Sequence, residues 1–302
     1  MKRHSIPRQI TAPPPSSALL RKLLPLALAS AFSLLPSALL HAATTIDAAN
    51  HFAYGANIGW MDWRGNTTDG AVIGEYVCSG YIYAANAGWI NLGSGSPTNG
   101  IFYQNTSGSD FGVNQDGYGN LSGYAWGANV GWIAFESTGA PKVDLATGNL
   151  SGYVWSANCG WISLSNAVAR VQTDSIQQGT LAPNGLPIAW LLLNFGTTNI
   201  SANADPTGKG MTITQDYLAG TDPNNSNDVF RITSVARAGD QTTLDWSSKS
   251  NRAYYVQFTP SLSPASWTSV STNGLDVSTV SLAGRTNTDE FYRVGAFRPL
   301  GP

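Results

Sequence analysis

The chain has 302 residues, of which 11% are charged and 11% aromatic, and it contains 32 glycines. A disordered chain is excluded, because it would carry more charge and fewer aromatic residues, and a turn-rich β protein is favoured. The formal net charge of −2 at pH 7 lacks the basic excess on which nucleic-acid binding depends, so no nucleic-acid partner is expected.

Residues 1–43 are predicted to be an export signal. Five of the 16 basic residues lie here, ahead of an apolar run from Leu23 to Leu40, and small residues follow the run. An uncleaved anchor helix is the alternative, since about 18 apolar residues can just span a bilayer, although prolines and serines interrupt this run. Cleavage would leave 11 basic against 18 acidic residues and no membrane span. The sequence therefore predicts a secreted or cell-surface protein.

Residues 44–168 contain four copies of an internal repeat, in which Ala-Asn-x-Gly is preceded by aromatic residues and followed by a tryptophan. Each copy is predicted to form a three-strand meander with tight turns. The spacings between the tryptophans that follow the turn are 29, 43 and 29 residues, so one linker carries an insertion. These tryptophans are Trp60, Trp89, Trp132 and Trp161.

Each copy also places an asparagine in the turn. Asparagine tolerates a positive φ better than any residue except glycine, and a glycine follows two positions later. The asparagines are therefore predicted to form turns rather than to bind a ligand. They are Asn57, Asn86, Asn129 and Asn158.

The repeat strands are apolar on both faces. In the fourth copy Tyr153, Trp155 and Trp161 share one face, whereas Ile162 and Leu164 lie on the other. Strands of this kind must be covered on both sides, which favours a mainly β fold of repeats stacked as a solenoid or packed as a sandwich. A propeller is less favoured because its blades need four strands. Whether the repeats close into a ring is left open.

Two interpretations of the repeated aromatic residues are open. Aromatic residues that recur in register are typical of a core between repeats, and this structural interpretation is preferred. If they were exposed, they would instead offer flat platforms for sugar rings. The aromatic residues that break the register are the predicted exposed ligand-binding candidates: Trp63, Tyr103 and Tyr118.

Cys78 and Cys159 occupy apolar positions of the aligned repeat. Two buried thiols would suit these positions. An exported protein could equally join them in a disulfide that ties the second copy to the fourth. Both alternatives are open from the sequence.

Residues 169–183 have the composition of a linker, and two short helices are predicted within residues 184–228. Pro187 is placed to start the first helix and Gly196 to end it. Thr212 is the candidate N-cap of the second helix, and Gly220 is its terminator.

The motifs GLPxxW, FG, DxxGxGM and YLAGTDP occur in this order across residues 184–228. The segment resembles the thrombospondin type 3-like or dockerin-like calcium-binding segments of secreted bacterial proteins. The resemblance implies calcium as a cofactor, and it implies ligands at Asp205, Asp216, Asp222, Asn224 and Asp228. The chain departs from the family's pattern at Lys209, which brings a positive charge to a ligand position. A helical spacer without calcium is therefore the preferred interpretation.

Residues 229–298 are predicted to form six short strands with turns between them, as in a small antiparallel sandwich. The order Tyr-Val-Gln-Phe, Trp-Thr-Ser-Val, Phe-Tyr-Arg-Val resembles the fibronectin type III-like modules that follow YLAGTDP segments in secreted proteins. The resemblance implies a spacer or a binding unit.

Residues that could support catalysis are scarce. His51 is the single histidine beyond the predicted export signal, so a Ser-His-Asp triad and an HExxH zinc site lack their parts. The carboxylates of the repeats do not recur in register. The sequence therefore predicts a noncatalytic extracellular protein that binds a glycan or protein partner in adhesion. A structural scaffold or surface-layer component is the alternative, and a polysaccharide-active enzyme is the least favoured.

Overall fold

The computed structural model describes residues 44–286 and 289–301. The predicted export signal at residues 1–43 lies outside them. Within the described part of the chain, no helix has the length and apolar character needed to cross a bilayer. Strands dominate the regular structure, which confirms the mainly β fold.

The repeat region and the residues just after it form twelve strands, with a short 3-10 helix at Ser137–Gly139. The strands are β1 (Ile46–Gly55), β2 (Gly59–Asp62), β3 (Ser79–Ala84), β4 (Gly88–Ser94), β5 (Val113–Gln115), β6 (Leu121–Gly127), β7 (Gly131–Phe135), β8 (Lys142–Val143), β9 (Leu150–Ser151), β10 (Tyr153–Ser156), β11 (Gly160–Ser163) and β12 (Arg170–Thr173).

Eight of these strands close into an antiparallel barrel. Each repeat copy contributes one hairpin, namely β1–β2, β3–β4, β6–β7 and β10–β11. The hairpins pair in order, and β11 returns to β1 with Tyr54 opposite Ser163 and Gly55 opposite Ile162. Because eight strands give an interior just wide enough for side chains to fill, four two-strand copies suffice. The repeats thus form a closed ring of two-strand hairpins rather than the expected stack or sandwich of three-strand meanders. Beside the ring, β5 pairs with β6 and β12 pairs with β1, whereas β8 pairs with β9 in a separate two-stranded sheet.

The barrel interior is aliphatic. The residue after each repeat tryptophan points inward and is at most 2% exposed. These residues are Met61, Ile90, Ile133 and Ile162. Facing them from the first strand of each hairpin are Ala53, Ile82, Ala125 and Val154, which are equally buried. Strand alternation therefore places the aromatic neighbours of these residues on the outer face.

The turn asparagines join the four copies into a ring of hydrogen bonds. Each Nδ2 donates to a backbone carbonyl in the turn of the preceding copy, and the first copy reaches back to the fourth. The bonds are Asn86 to Ile58 at 3.1 Å, Asn129 to Ala87 at 3.1 Å, Asn158 to Val130 at 3.1 Å and Asn57 to Cys159 at 3.2 Å. The positive φ of each turn belongs to the glycine, as at Gly59 with φ 82°. The asparagines thus act between copies, which the sequence did not reveal.

We expect Asn129→Ala to lower the free energy of unfolding by about 1 kcal/mol, since the carbonyl of the buried Ala87 would lose its donor. Urea unfolding of the purified protein measures this change. Asn66→Ala is the matched control, because Asn66 bonds Thr68 and Asp69 within its own exposed turn. An equal loss in both variants would contradict a role for the ring.

Residues 184–228 contain the two predicted helices, α1 (Ile188–Phe195) and α2 (Ile213–Ala219). Gly196 and Gly220 end them in the left-handed conformation, as predicted. Thr212 caps α2 through a capping box with Gln215, which satisfies two otherwise unpaired backbone groups.

The C-terminal segment forms six strands in two antiparallel sheets, β13-β14-β17 and β16-β15-β18. The sheets enclose a small core that includes Leu244, Trp246, Tyr254 and Val256. The predicted six-strand sandwich is therefore present. The strands are β13 (Ile232–Ala238), β14 (Gln241–Trp246), β15 (Ala253–Thr259), β16 (Thr268–Asn273), β17 (Thr279–Leu282) and β18 (Phe291–Phe297).

Candidate functional site

The outer face of the barrel carries the repeat tryptophans. Each lies directly opposite an aromatic residue of its hairpin, and the pairs are Tyr54–Trp60, Tyr83–Trp89, Trp126–Trp132 and Trp155–Trp161. The second tryptophan of each pair is 43 to 47% exposed. The expectation that Trp60, Trp89, Trp132 and Trp161 form a core between repeats is therefore wrong. The interior of an eight-stranded barrel is filled by the smaller aliphatic side chains, which leaves the indoles outside.

A further aromatic residue of each hairpin packs against the same tryptophan. The ring centroids of Phe52, Tyr81, Tyr124 and Tyr153 lie 6.0 to 6.4 Å from their tryptophan in edge-to-face contact. Every hairpin thus exposes a cluster of three rings. We call the twelve residues the aromatic belt: Phe52, Tyr54, Trp60, Tyr81, Tyr83, Trp89, Tyr124, Trp126, Trp132, Tyr153, Trp155 and Trp161.

The belt continues from one hairpin to the next. The outward residues that separate neighbouring aromatic pairs are Asp62, Asn91, Ala134 and Ser163. Three of these residues are polar, whereas Ala134, between the third and fourth clusters, is apolar. The carboxylate of Asp62 is held by His51 Nδ1 at 2.6 Å and by the backbone N–H of Arg64 at 2.8 Å.

Two of the three predicted exposed candidates are buried. Trp63 is 1% exposed in the barrel core and Tyr103 is 3% exposed, so both predictions are wrong. The hydroxyl of Tyr103 donates to the carbonyl of Cys78 at 3.0 Å, and burial raises the pKa of this tyrosine to about 12. Tyr103 is thus an internal anchor for its loop. Tyr118 is 58% exposed, as predicted, on the turn before β6.

The two cysteines are free and buried, so the disulfide alternative is not realised. Burial raises the pKa of the Cys78 thiol to about 12, which keeps it protonated and unreactive at neutral pH.

We expect both thiols of the folded protein to resist a thiol reagent such as dithionitrobenzoate, and both to react once guanidinium unfolds the chain without a reductant. Colorimetric titration before and after unfolding gives the count directly. Absence of thiols in the unfolded, unreduced protein would show that the cysteines are bridged.

The residues that the calcium resemblance implies are arranged around an ammonium group. Lys209 Nζ lies 2.8 Å from Asp216 Oδ1, 2.6 Å from the carbonyl of Asp222 and 2.9 Å from that of Asp228. The Lys209 and Asp216 side chains are 1% and 0% exposed. Because a cation already lies among these oxygens, the residues do not fit a calcium ion.

The other implied ligands make contacts within the protein. Asp205 accepts from the backbone N–H groups of Lys209 and Gly210, and Asn224 Nδ2 donates to the carbonyl of Asn194. The carboxylate of Asp228 contacts Lys249 at 2.7 Å. Among the residues described, no group of three or more His, Cys, Asp or Glu side chains could hold a metal ion.

A buried ionic cluster lies between the barrel, α2 and the C-terminal segment. Arg298 pairs with Glu75, and the hydroxyl of Tyr217 donates to Glu75 Oε2 at 2.9 Å. Arg298 Nη1 also donates to the Tyr217 hydroxyl at 2.7 Å. Burial, reinforced by the charge of Glu75, raises the pKa of Tyr217 to about 12. The Glu75 carboxylate is therefore engaged in holding these segments together, a role that no local motif signals.

Comparisons with known proteins found no relative of this chain. No protein-family model matches the chain, and neither the curated proteins nor the solved structures contain a match to it. The two resemblances of the C-terminal half accordingly stay predictions.

Proposed function

We propose that the protein is a noncatalytic extracellular binding protein whose aromatic belt binds neutral glycan chains. The observation that carries this proposal is the exposure of twelve aromatic side chains, three in each of the four hairpins. Exposed apolar patches of this kind are unusual on a monomer that has no partner, because burying them from water is favourable.

The chemistry of the belt favours a sugar ring. Tyrosine and tryptophan combine a flat apolar face with a polar O–H or N–H edge. A pyranose ring presents a C–H face of similar size with hydroxyl groups around its rim. The asparagine and serine that border two of the clusters, Asn91 and Ser163, supply further hydrogen-bonding groups.

Other partners suit the belt less well. Nucleic acid would require basic residues to neutralise its phosphates, and the belt contains none. A flat lipid surface could contact one side of the barrel at a time, whereas the clusters surround it. A chain of sugar rings can contact one cluster and leave the others free to bind further chains, which increases avidity.

The test is titration of the protein with soluble neutral and anionic polysaccharides, followed by tryptophan fluorescence and calorimetry. We expect saturable binding of a neutral glycan that weakens at least tenfold when the four repeat tryptophans, Trp60, Trp89, Trp132 and Trp161, are all replaced by alanine, since aromatic contacts contribute about 0.5–1.5 kcal/mol each. Trp267→Phe is the control, because Trp267 lies in the C-terminal sandwich against Arg293. Failure to bind any polysaccharide, together with concentration-dependent sedimentation, would instead identify the belt as a self-association surface of a scaffold.

A further inference from the structure

The four aromatic clusters are alike except for the third. The insertion that lengthens the linker between the second and third copies folds against this cluster and places Phe111 beside Trp132. The ring centroids of these two residues are 5.1 Å apart with an interplanar angle of 79°. Tyr124 contacts the same indole at 6.0 Å. The third cluster therefore has a fourth ring.

The inserted loop also makes this cluster concave. Residues 105–108 face the three rings of Phe111, Tyr124 and Trp132 across a pocket of about 450 Å³. This volume lies within the range of about 300–1,000 Å³ that is usual for small-ligand sites.

The loop that forms the pocket wall is fixed by its own contacts. Asn105 adopts a φ of 57°, and its Oδ1 accepts from the backbone N–H of Gly112 at 3.0 Å. The carboxylate of Asp110 accepts from the Thr98 hydroxyl at 2.7 Å, and this bond holds the pKa of Asp110 below its ordinary value. Beneath the loop, the Tyr103 ring lies so close to Gly93 that a Cβ there would approach it to 2.6 Å. A preformed wall lowers the entropy lost on binding.

The lining of the pocket is uncharged. Phe111, Tyr124 and Trp132 contribute aromatic rings, and the rest of the lining consists of Asn105, the hydroxyl residues Thr106 and Ser107, and Gly108. Asp110, the charged residue of the same loop, is 7% exposed and points to Thr98. Such a lining matches a neutral ring with an apolar face and a hydroxyl rim.

We infer that this pocket is the principal ligand site of the belt and that it holds one sugar ring of a neutral glycan, with the ring face against Trp132 and its hydroxyls toward residues 105–108. This inference rests on the proposed function and refines it, because it assigns the tightest glycan binding to the third of the four clusters. The remaining three clusters then act as weaker secondary sites.

Two pairs of variants test the inference. Trp132→Ala removes an indole that is 43% exposed from the third cluster, which has the pocket. Trp161→Ala removes an indole that is 47% exposed from the fourth cluster. We expect the dissociation constant for the neutral glycan to rise at least tenfold in Trp132→Ala and less than twofold in Trp161→Ala. Circular dichroism and thermal melting establish that both variants are folded.

The second pair blocks the pocket without removing a contact. A Cβ at Gly108 has no heavy atom within 4 Å, and neither has one at Gly274 in the C-terminal sandwich. Gly108→Phe should fill the pocket and weaken binding at least fivefold, whereas Gly274→Phe should leave it unchanged. Equal losses in Trp132→Ala and Trp161→Ala, with unaltered binding by Gly108→Phe, would overturn the inference while leaving glycan binding by the belt intact. Absence of glycan binding in the unaltered protein would overturn both.

Discussion

Replacing Lys209 with methionine should lower the free energy of unfolding by about 3–5 kcal/mol, because breaking a buried ion pair leaves an uncompensated charge. Asp216 is fully buried, and its Oδ2 has no hydrogen-bond partner, so the ammonium is the main compensation for its charge. Thr221 donates to the other carboxylate oxygen, Oδ1, at 2.5 Å, and one neutral hydroxyl cannot replace a cation. Guanidinium unfolding of the purified protein gives the change directly.

Lys249→Met is the matched control for this prediction. Lys249 pairs with Asp228 at 2.7 Å, but the two side chains are 31% and 20% exposed. Solvent screens such pairs, so the loss should not exceed about 1 kcal/mol. If both lysine variants lost the same stability, burial of the Lys209–Asp216 pair would not be the cause.

The response of thermal stability to calcium is a second test of the arrangement of oxygen atoms around Lys209. The midpoint of thermal unfolding of the unaltered protein should be indifferent to calcium and to chelator, since Lys209 lies among the oxygens. In Lys209→Ala the carbonyls and the Asp216 carboxylate would surround a cavity with no cation to compensate their negative charge. Millimolar calcium should then restore part of the lost stability by mass action. Stabilisation of the unaltered protein by calcium would contradict the arrangement around Lys209.

Much of the local structure follows from the sequence, because its signals act over a few residues. Each Ala-Asn-x-Gly turn joins two strands of the barrel, and Gly196 and Gly220 end the two helices. Positive φ and helix capping depend on near neighbours, which a local pattern records.

Closure of the barrel could not be predicted in the same way. It depends on the pairing of Tyr54 with Ser163, from the first and the last copy. A repeat specifies how one copy packs on the next, but the twist that accumulates between strands decides whether the last copy reaches the first.

The choice of inner face was ambiguous because both faces of the strands are apolar. Space decides it. A Cβ at Gly55, near the turn end of the barrel, would already approach Ile58 to 2.8 Å and Ile162 to 3.0 Å, so an indole has no room inside. The aliphatic residue after every repeat tryptophan, such as Ile90, carried the correct signal. The aromatic residues that recur in register therefore form an exposed belt and not a core.

The sequence indicated the pocket only through the greater length of the linker between the second and third copies. The spacing of 43 residues against 29 located the insertion, but it did not show that Phe111 would lie on Trp132. Tyr103, in the same insertion, was expected to be exposed because it breaks the register. It is buried because it anchors the loop through Cys78 and Gly95.

Arg298→Met should also cost about 3–5 kcal/mol, since it would leave the Glu75 carboxylate buried without its cation. The Arg298 and Glu75 side chains are 12% and 5% exposed. The pair joins the C-terminal end of the described chain to the segment between β2 and β3 of the barrel, and Tyr217 adds α2 to the same cluster. Loss of the cation should therefore weaken contacts among three parts of the molecule at once.

Two further variants separate charge from hydrogen bonding in this cluster. Tyr217→Phe removes the hydroxyl that bonds Glu75 and leaves the ion pair in place, so its cost should be about 1–3 kcal/mol. In the double variant Glu75→Gln with Arg298→Met neither member of the pair is left as an unpaired charge, and stability should recover relative to Arg298→Met alone. The cycle of single and double variants, measured by urea unfolding, yields the coupling energy of the pair. Simple additivity of the two single losses would mean that Glu75 and Arg298 do not stabilise each other, and the cluster would then hold the three segments together by packing.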